Sequence, residues 1–149
     1  GTVEAFSTDK YQYWPNAERY GFSMIRDFNR GTVGWTDWNL LLDQTGGPNH
    51  VSNFCFAPIH GDTSTGELIY TPTYYYIGHF SKFVGPDSVR ISTSVSRNVV
   101  LATSFLNPDG TMATIVMNKS DDFVDYSFFL NDRQVDLKIP PRAMQTLVY

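Results

Sequence analysis

The sequence predicts an α+β protein in which a mixed α/β segment is followed by an antiparallel β-sandwich. Two helical patterns occur before residue 86, whereas short strand-like patterns separated by turn residues follow Ser88. The chain has 149 residues, and a complete (β/α)₈ barrel takes about 250. We therefore expect residues 1–86 to hold part of an α/β fold and residues 87–149 to form the β-sandwich.

The first helix is predicted over Ala17–Asn29. Asn16 is a suitable N-cap, and the negative charge of Glu18 in the first turn suits the helix dipole. Gly31 follows as a stop signal. The residues at helical spacing, which should form the buried face, are Ala17, Tyr20, Met24, Ile25 and Phe28.

A strand is predicted directly after this helix, over residues 31–38. A helix, a short glycine turn and a strand together form the αβ half of a repeating β/α unit. A loop rich in Gly, Pro and Asn follows from Asp43 to His50. Two short extended segments are then expected over 54–59 and 67–70.

The second helix is predicted over Thr73–Phe83. Thr71 can cap this helix and Pro72 suits its first turn, because proline has no N–H to leave unsatisfied there. Gly85-Pro86 ends the pattern. The predicted buried face consists of Thr73, Tyr76, Ile77, Phe80 and Val84.

Strands separated by turns are predicted through the rest of the chain. They are Val89–Ser94, Val99–Leu106, Thr111–Asn118, Tyr126–Leu130, Gln134–Ile139 and Met144–Val148. The turn residues at 107–110 and 131–132 connect neighbouring pairs. Short antiparallel strands of this kind are typical of a β-sandwich. Within them, Asn118-Lys119-Ser120 matches an N-glycosylation acceptor.

Composition and charge exclude several classes of function. The net charge is −4 without any basic run, so no nucleic-acid partner is expected. No apolar stretch approaches about 18 residues, so we expect no transmembrane segment, and the first six residues do not resemble a signal peptide. The single cysteine, Cys55, excludes an internal disulfide and a multi-cysteine metal site. His50, His60 and His79 lack metal-ligand spacing, so no metal or other cofactor is predicted.

The segment Trp35-Thr36-Asp37-Trp38-Asn39 lies where the predicted strand ends, which is where β/α barrels carry their active sites. An exposed Trp offers a flat apolar face to a sugar ring, and Asn offers a donor and an acceptor to hydroxyls. The alternative is that both tryptophans pack in the core. Glycoside hydrolysis needs two facing carboxyl groups. The candidates, of which no pair is singled out by spacing, are Glu4, Asp37, Asp43, Asp62 and Glu67.

Two longer runs resemble the C-terminal part of the glucosylceramidases, glycoside hydrolase family 30. Residues 31–51 read GTVGWTDWNLLLDQTGGPNHV, and residues 74–83 read YYYIGHFSKF. The segment from Trp14 to Tyr20 is similar to the same family. The resemblance covers nearly the whole chain, is most specific over residues 31–83, and is weakest in roughly the last 60 residues, where the strand pattern and turns carry it.

This resemblance implies a retaining hydrolase of β-glucosides such as glucosylceramide, with a (β/α)₈ barrel and a side β-domain. Residues 1–86 then form the C-terminal end of the barrel (helix 7, strand 8 and helix 8), and residues 87–149 form the β-sandwich side domain. The family's acid/base and nucleophile follow its fourth and seventh strands, so both are expected outside this chain, which would be inactive by itself. Glu4 lies too close to Trp14 to match the nucleophile and is expected at the surface.

The resemblance also carries sugar contacts over to this chain. Trp38 matches a tryptophan that lines the glucose subsite, and Asn53 and Phe54 match polar and aromatic contacts in the following loop. The expected substrate of the whole protein is a β-glucoside or glycolipid, and its expected location is secreted or periplasmic. Two alternatives stay open, a non-catalytic carbohydrate-binding β module and a family enzyme acting on another β-glycan such as β-1,6-glucan. We also expect self-association of the chain through exposed strand edges and helix faces.

Overall fold

The computed structural model describes residues 6–149, so the candidate carboxylate Glu4 lies outside the described part. Tertiary contacts divide the chain into two units. The first unit contains the residues up to Tyr20 together with Gly34–Ile77, and the second contains Gly21–Val33 together with Gly78–Tyr149. Among the residues described, no helix has both the length and the apolar character needed to cross a bilayer.

The first helix, α1, extends over Trp14–Asn29 and follows a short 3-10 helix at Thr8–Lys10. It begins three residues before the predicted start, so Asn16 is inside the helix and is not its N-cap. Pro15 explains the difference, because proline fits the first turn of a helix, where an N–H has no partner to lose. Of the predicted buried face, Ala17, Met24 and Ile25 are buried, whereas Tyr20 and Phe28 are half-buried.

A small sheet forms in the first unit. Strand β1 (Leu41–Asp43) pairs in parallel with β2 (Ile59–Gly61), and β2 pairs antiparallel with β3 (Leu68–Tyr70). The strand β3 confirms the extended segment predicted over 67–70. In the predicted segment 54–59 only Ile59 belongs to a strand, because Pro58 has no N–H to donate to a ladder.

The strand predicted over residues 31–38 is not formed. Residues 32–40 pair with no strand of the described chain, and sheet pairing starts only at Leu41. A strand exists where a neighbouring backbone supplies hydrogen bonds to it. The backbone bond from β2 that lies nearest to this segment is at its last residue, where the Ile59 N–H donates to the Leu40 carbonyl at 3.1 Å.

The second helix, α2, extends over Pro72–Ser81. It begins one residue before the predicted start and ends two residues before the predicted end, Phe83. Of the predicted buried face, Thr73, Tyr76 and Phe80 are buried, whereas Ile77 and Val84 are half-buried. Thr71 precedes the helix as predicted, but its hydroxyl donates to the Pro58 carbonyl (3.0 Å) and lies 3.2 Å from the Ala57 carbonyl. Thr71 therefore ties the helix start to the loop before β2.

The second unit contains the six predicted strands. They are β4 (Val89–Ile91), β5 (Val100–Leu106), β6 (Met112–Asn118), β7 (Val124–Leu130), β8 (Arg133–Ile139) and β9 (Met144–Val148). One antiparallel sheet has the order β4-β5-β6-β9, and β7 pairs with β8 in a second sheet. The predicted turn between β5 and β6 is present, with the Gly110 N–H donating to the Asn107 carbonyl at 2.9 Å and Gly110 at φ +86°.

Both faces of the larger sheet are covered within the second unit. On one face a cluster from both sheets forms the sandwich core, with Val100, Ala102, Val116, Val124 and Ile139 as its buried members. On the other face aromatic rings pack, since the Phe28 ring lies 5.6 Å from that of Phe80 and 5.5 Å from that of Phe105. The observed elements therefore agree with the predicted α+β class and β-sandwich.

Asn118, at the end of β6, is fully buried. Its Nδ2 donates to the carbonyls of Asp122 (2.7 Å) and Pro140 (2.9 Å), and its Oδ1 accepts the Ser120 N–H (2.9 Å). The amide nitrogen that would carry a glycan is therefore enclosed in the folded chain. The glycosylation sequence predicted here is a structural element of the β6–β7 connection.

Replacing Asn118 with Ala is expected to destabilise the chain by about 3 kcal/mol, because it leaves buried backbone groups without partners. Urea unfolding followed by circular dichroism measures this change. The exposed Asn98→Ala serves as the control and should change the unfolding free energy by less than about 0.5 kcal/mol. Equal values for the two variants would contradict the role assigned to Asn118.

Candidate functional site

Trp38 presents an exposed indole held by a short chain of hydrogen bonds. The side chain is 87% exposed, while its backbone N–H donates to Asp37 Oδ1 at 2.8 Å. The Tyr20 hydroxyl of α1 donates to Asp37 Oδ2 at 3.0 Å. Trp35 differs from Trp38, because its ring packs edge-on against Tyr20 at 5.6 Å. Trp35 therefore packs against α1, whereas Trp38 is exposed.

Asn53 and Phe54 lie in the loop between β1 and β2, and both are exposed. Asn49 shapes this part of the loop: its Oδ1 accepts the Val51 N–H and its Nδ2 donates to the Asn53 carbonyl, both at 2.8 Å. The side-chain amide of Asn53 has no hydrogen-bond partner among residues 6–149. The Phe54 ring lies against Gly47, where an added Cβ would be 3.3 Å from the ring.

The start of the loop is fixed by the carboxylate of Asp43. Its Oδ1 accepts hydrogen bonds from the Thr45 hydroxyl (2.6 Å), the Thr45 N–H (2.8 Å) and the Gly47 N–H (2.9 Å). These bonds hold the pKa of Asp43 below its usual range. Bonds from Ser64 likewise lower the pKa of Asp62. Neither group suits the general acid of a glycosidase, which needs a raised pKa.

His60, in β2, joins the two ends of the loop through its buried imidazole. The side chain is fully buried, and its Nε2 accepts the Ala57 N–H at 3.0 Å. The proton must therefore be on Nδ1, which lies 2.8 Å from the Asp43 carbonyl and donates to it. Burial lowers the pKa of His60, and the neutral imidazole is the form that makes both bonds.

Gly46 is required where the two sides of the loop meet. The residue has φ +80°, and an added Cβ would lie 2.6 Å from the Cys55 carbonyl oxygen. The Cys55 N–H donates to the Gly46 carbonyl at 3.0 Å. Only glycine combines this backbone conformation with such a close approach.

The structure brings Asn53 and Phe54 together in one loop, and no ring contact or hydrogen bond joins them to Trp38 in the described part of the chain. All three side chains expose the atoms that a sugar would contact, namely an indole, an amide and a phenyl ring. Sequence reasoning missed the supporting residues Asn49 and His60. Only Asn49 leaves a local signal, because Asn two residues before a loop N–H is a common turn former.

No group of three or more His, Cys, Asp or Glu side chains within residues 6–149 is arranged to hold a metal ion. The exposed side chains of Trp38, Asn53 and Phe54 offer stacking and neutral hydrogen bonding. Such contacts orient a ligand and contribute no proton transfer of their own.

Replacing His60 with Ala is expected to cost about 3 kcal/mol of unfolding free energy, because the Ala57 N–H and the Asp43 carbonyl lose their partners. Urea unfolding measures the change, and amide exchange at Ala57 should accelerate in the variant. His50→Ala, at an exposed position, is the control. An unchanged Ala57 exchange rate would show that His60 does not hold the loop.

The stability of the chain is expected to fall as the pH decreases from 7 to 5. Burial lowers the pKa of His60 and of His79 from 6.5, so the unfolded chain takes up protons in this range before the folded chain does. The lowered pKa values of Asp43 and Asp62 act only near and below their ordinary value of 3.8. Thermal unfolding across this range measures the effect, and a midpoint independent of pH would contradict it.

Two family models match the chain in succession. Residues 3–84 match the glycosyl hydrolase family 30 TIM-barrel domain, and residues 87–147 match the glycosyl hydrolase family 30 beta sandwich domain. Lysosomal acid glucosylceramidase of Mus musculus is 38% identical over 112 residues, which are 74% of this chain and 22% of that protein. The chain spans about a quarter of the length of the curated relatives it matches.

Solved structures agree with this match. The crystal structure of SrfJ from Salmonella typhimurium superposes with a TM-score of 0.89 at 33% identity, over 99% of this chain and 32% of that one. An endo-β1,6-glucanase superposes with a TM-score of 0.78 at 26% identity, over 87% of this chain and 30% of that one. The predicted fold class, the end of a (β/α)₈ barrel followed by a β-sandwich, is confirmed. The chain belongs to glycosyl hydrolase family 30.

Proposed function

We propose that this chain is the C-terminal portion of a retaining β-glucosidase of the glucosylceramidase type, and that it supplies sugar contacts to the glucose subsite. The observation that carries the proposal is the exposed indole of Trp38, 87% exposed on a backbone held by Asp37. A relative with 38% identity is named lysosomal acid glucosylceramidase, which supports a β-glucoside or glycolipid as the substrate.

In this function each of the three side chains has a separate role. Trp38 stacks against the apolar face of the glucose ring, and Asn53 exchanges hydrogen bonds with sugar hydroxyls. Phe54 closes one side of the subsite. Together they position the anomeric carbon for two carboxylates supplied elsewhere in the whole protein, so the 149-residue chain alone should not hydrolyse glycosides.

Two observations favour other functions. The 26% identical endo-β1,6-glucanase supports a β-1,6-glucan as the alternative substrate. A cleft of about 1190 Å³ in the second unit, lined by the rings of Tyr126, Phe128 and Tyr149, supports a carbohydrate-binding module. Calorimetry of the isolated chain tests the module, because millimolar or tighter glucoside binding would favour it over the glucosidase proposal.

Exposed apolar side chains support the proposal that the isolated chain self-associates. Leu40, Leu41 and Val51 are each more than half exposed in the first unit, and exposed apolar side chains favour association.

Replacing Trp38 with Ala in the protein expressed from its complete reading frame should lower kcat/KM for an aryl β-glucoside at least about tenfold, because the stacking surface is lost. Initial rates over a range of substrate concentrations measure the change. Phe123→Ala removes an exposed aromatic ring (60%) of the second unit that does not line the cleft described above, and it should leave the rates unchanged.

Two results would contradict the proposed function. One is equal kcat/KM for Trp38→Ala and Phe123→Ala. The other is clear turnover of the aryl β-glucoside by the 149-residue chain that disappears in Glu4→Gln. A preference of the complete protein for β-1,6-linked oligosaccharides over glucosylceramide would select the alternative substrate.

A further inference from the structure

The backbone that carries Trp38 lies outside the sheets of the described chain. Residues 32–40 belong to no strand of the described chain, so no ladder of hydrogen bonds fixes their direction. The indole itself is 87% exposed and has no ring contact within residues 6–149. Within residues 6–149, the hydrogen bonds recorded at Asp37 and Trp38 are those of the Asp37 carboxylate.

Asp37 supports this backbone through both oxygens of its carboxylate. Oδ1 accepts the N–H of Trp38 at 2.8 Å, and Oδ2 accepts the hydroxyl of Tyr20 at 3.0 Å. The first bond closes a small ring that contains the Cα–C bond of Asp37. It therefore restrains the ψ angle of Asp37, which sets the direction of the peptide bond leading to Trp38. The second bond fixes the same carboxylate to α1.

Tyr20 is itself well placed to act as the fixed point. It lies on α1 within the first unit, and the Trp35 ring packs edge-on against it at 5.6 Å. Burial and the neighbouring Asp37 raise the pKa of Tyr20, so its hydroxyl keeps the proton that it donates. A hydrogen bond to a charged acceptor is about twice as strong as one between neutral groups.

We propose that Tyr20 and Asp37 are positioning residues that hold the indole of Trp38 in the orientation required for sugar stacking. This inference rests on the proposed function, in which Trp38 contacts the substrate. Neither residue contacts the sugar in this account. Their effect on catalysis passes through the Trp38 backbone, as expected for groups that support a binding side chain from behind.

A double-mutant cycle in the complete protein tests the proposal. Asp37→Ala should lower kcat/KM for an aryl β-glucoside about tenfold, mainly through a higher KM, because it removes both bonds. In a Trp38→Ala background the same substitution should have almost no further effect. Asp37→Asn should retain most activity, since its amide oxygen can accept the Trp38 N–H and its NH₂ can face Tyr20. An equal loss in both backgrounds would overturn the proposal.

Tyr20→Phe isolates the hydroxyl, because the ring that packs on Trp35 is retained. It should raise KM several-fold, whereas Tyr75→Phe, at an exposed tyrosine of α2 without a hydroxyl partner in the described chain, should not. An unchanged KM in Tyr20→Phe would remove Tyr20 from the proposal.

Amide exchange of the Trp38 N–H in the 149-residue chain separates this inference from the proposed function. The amide should be protected in the unmodified chain and lose that protection in Asp37→Ala. If it does so while the complete protein fails to hydrolyse β-glucosides, the proposed function fails and the Asp37 anchor stands. If the amide is unprotected in the unmodified chain, the anchor is wrong whatever the substrate is.

Discussion

The buried imidazole of His60 is the contact on which the site-bearing loop depends. It accepts the Ala57 N–H and donates to the Asp43 carbonyl, so a single side chain joins the end of the loop to the last residue of β1. A neutral imidazole offers one donor and one acceptor in fixed directions, and both are used here. A lysine or a carboxylate could not serve both backbone groups, because the first only donates and an ionised carboxylate only accepts.

In the loop around this contact, one set of residues orders the backbone and a different set exposes its side chains. Asp43 and Asn49 form hydrogen bonds with backbone N–H and carbonyl groups of the loop. Gly46 allows the two sides of the loop to approach closely. The side chains of Asn53 and Phe54 are thereby left exposed on a backbone that is already ordered. Ordering the backbone before a ligand arrives reduces the entropy that binding must overcome.

The sequence predicted the second unit better than the first for a physical reason. The β5–β6 and β7–β8 pairs are each joined by a short turn, at residues 107–110 and 131–132, so these partners are neighbours in the sequence. Strand β9 instead pairs with β6, after the intervening β7–β8 hairpin. The strand over 31–38 is predicted from its position directly after a helix and a glycine turn and from the family resemblance, and it has no such local partner. The candidate site residues were suggested by family resemblance. Neither the exposure of Trp38 beside the packed Trp35 nor the role of His60 could be read from residue order, because both depend on contacts made 15 or more residues away.

Because Asn118 is enclosed in the folded chain, folding and N-glycosylation compete for it in any host that glycosylates secreted chains. Before β6 and the β7–β8 hairpin assemble, Asn118-Lys119-Ser120 is an accessible acceptor sequence. A glycan attached at that moment would replace a hydrogen on the nitrogen that binds the Asp122 and Pro140 carbonyls. It would also require a bulky polar group at a position with no exposed surface. Closure of this connection therefore removes the acceptor from modification, and a host that lacks N-glycosylation avoids the competition altogether.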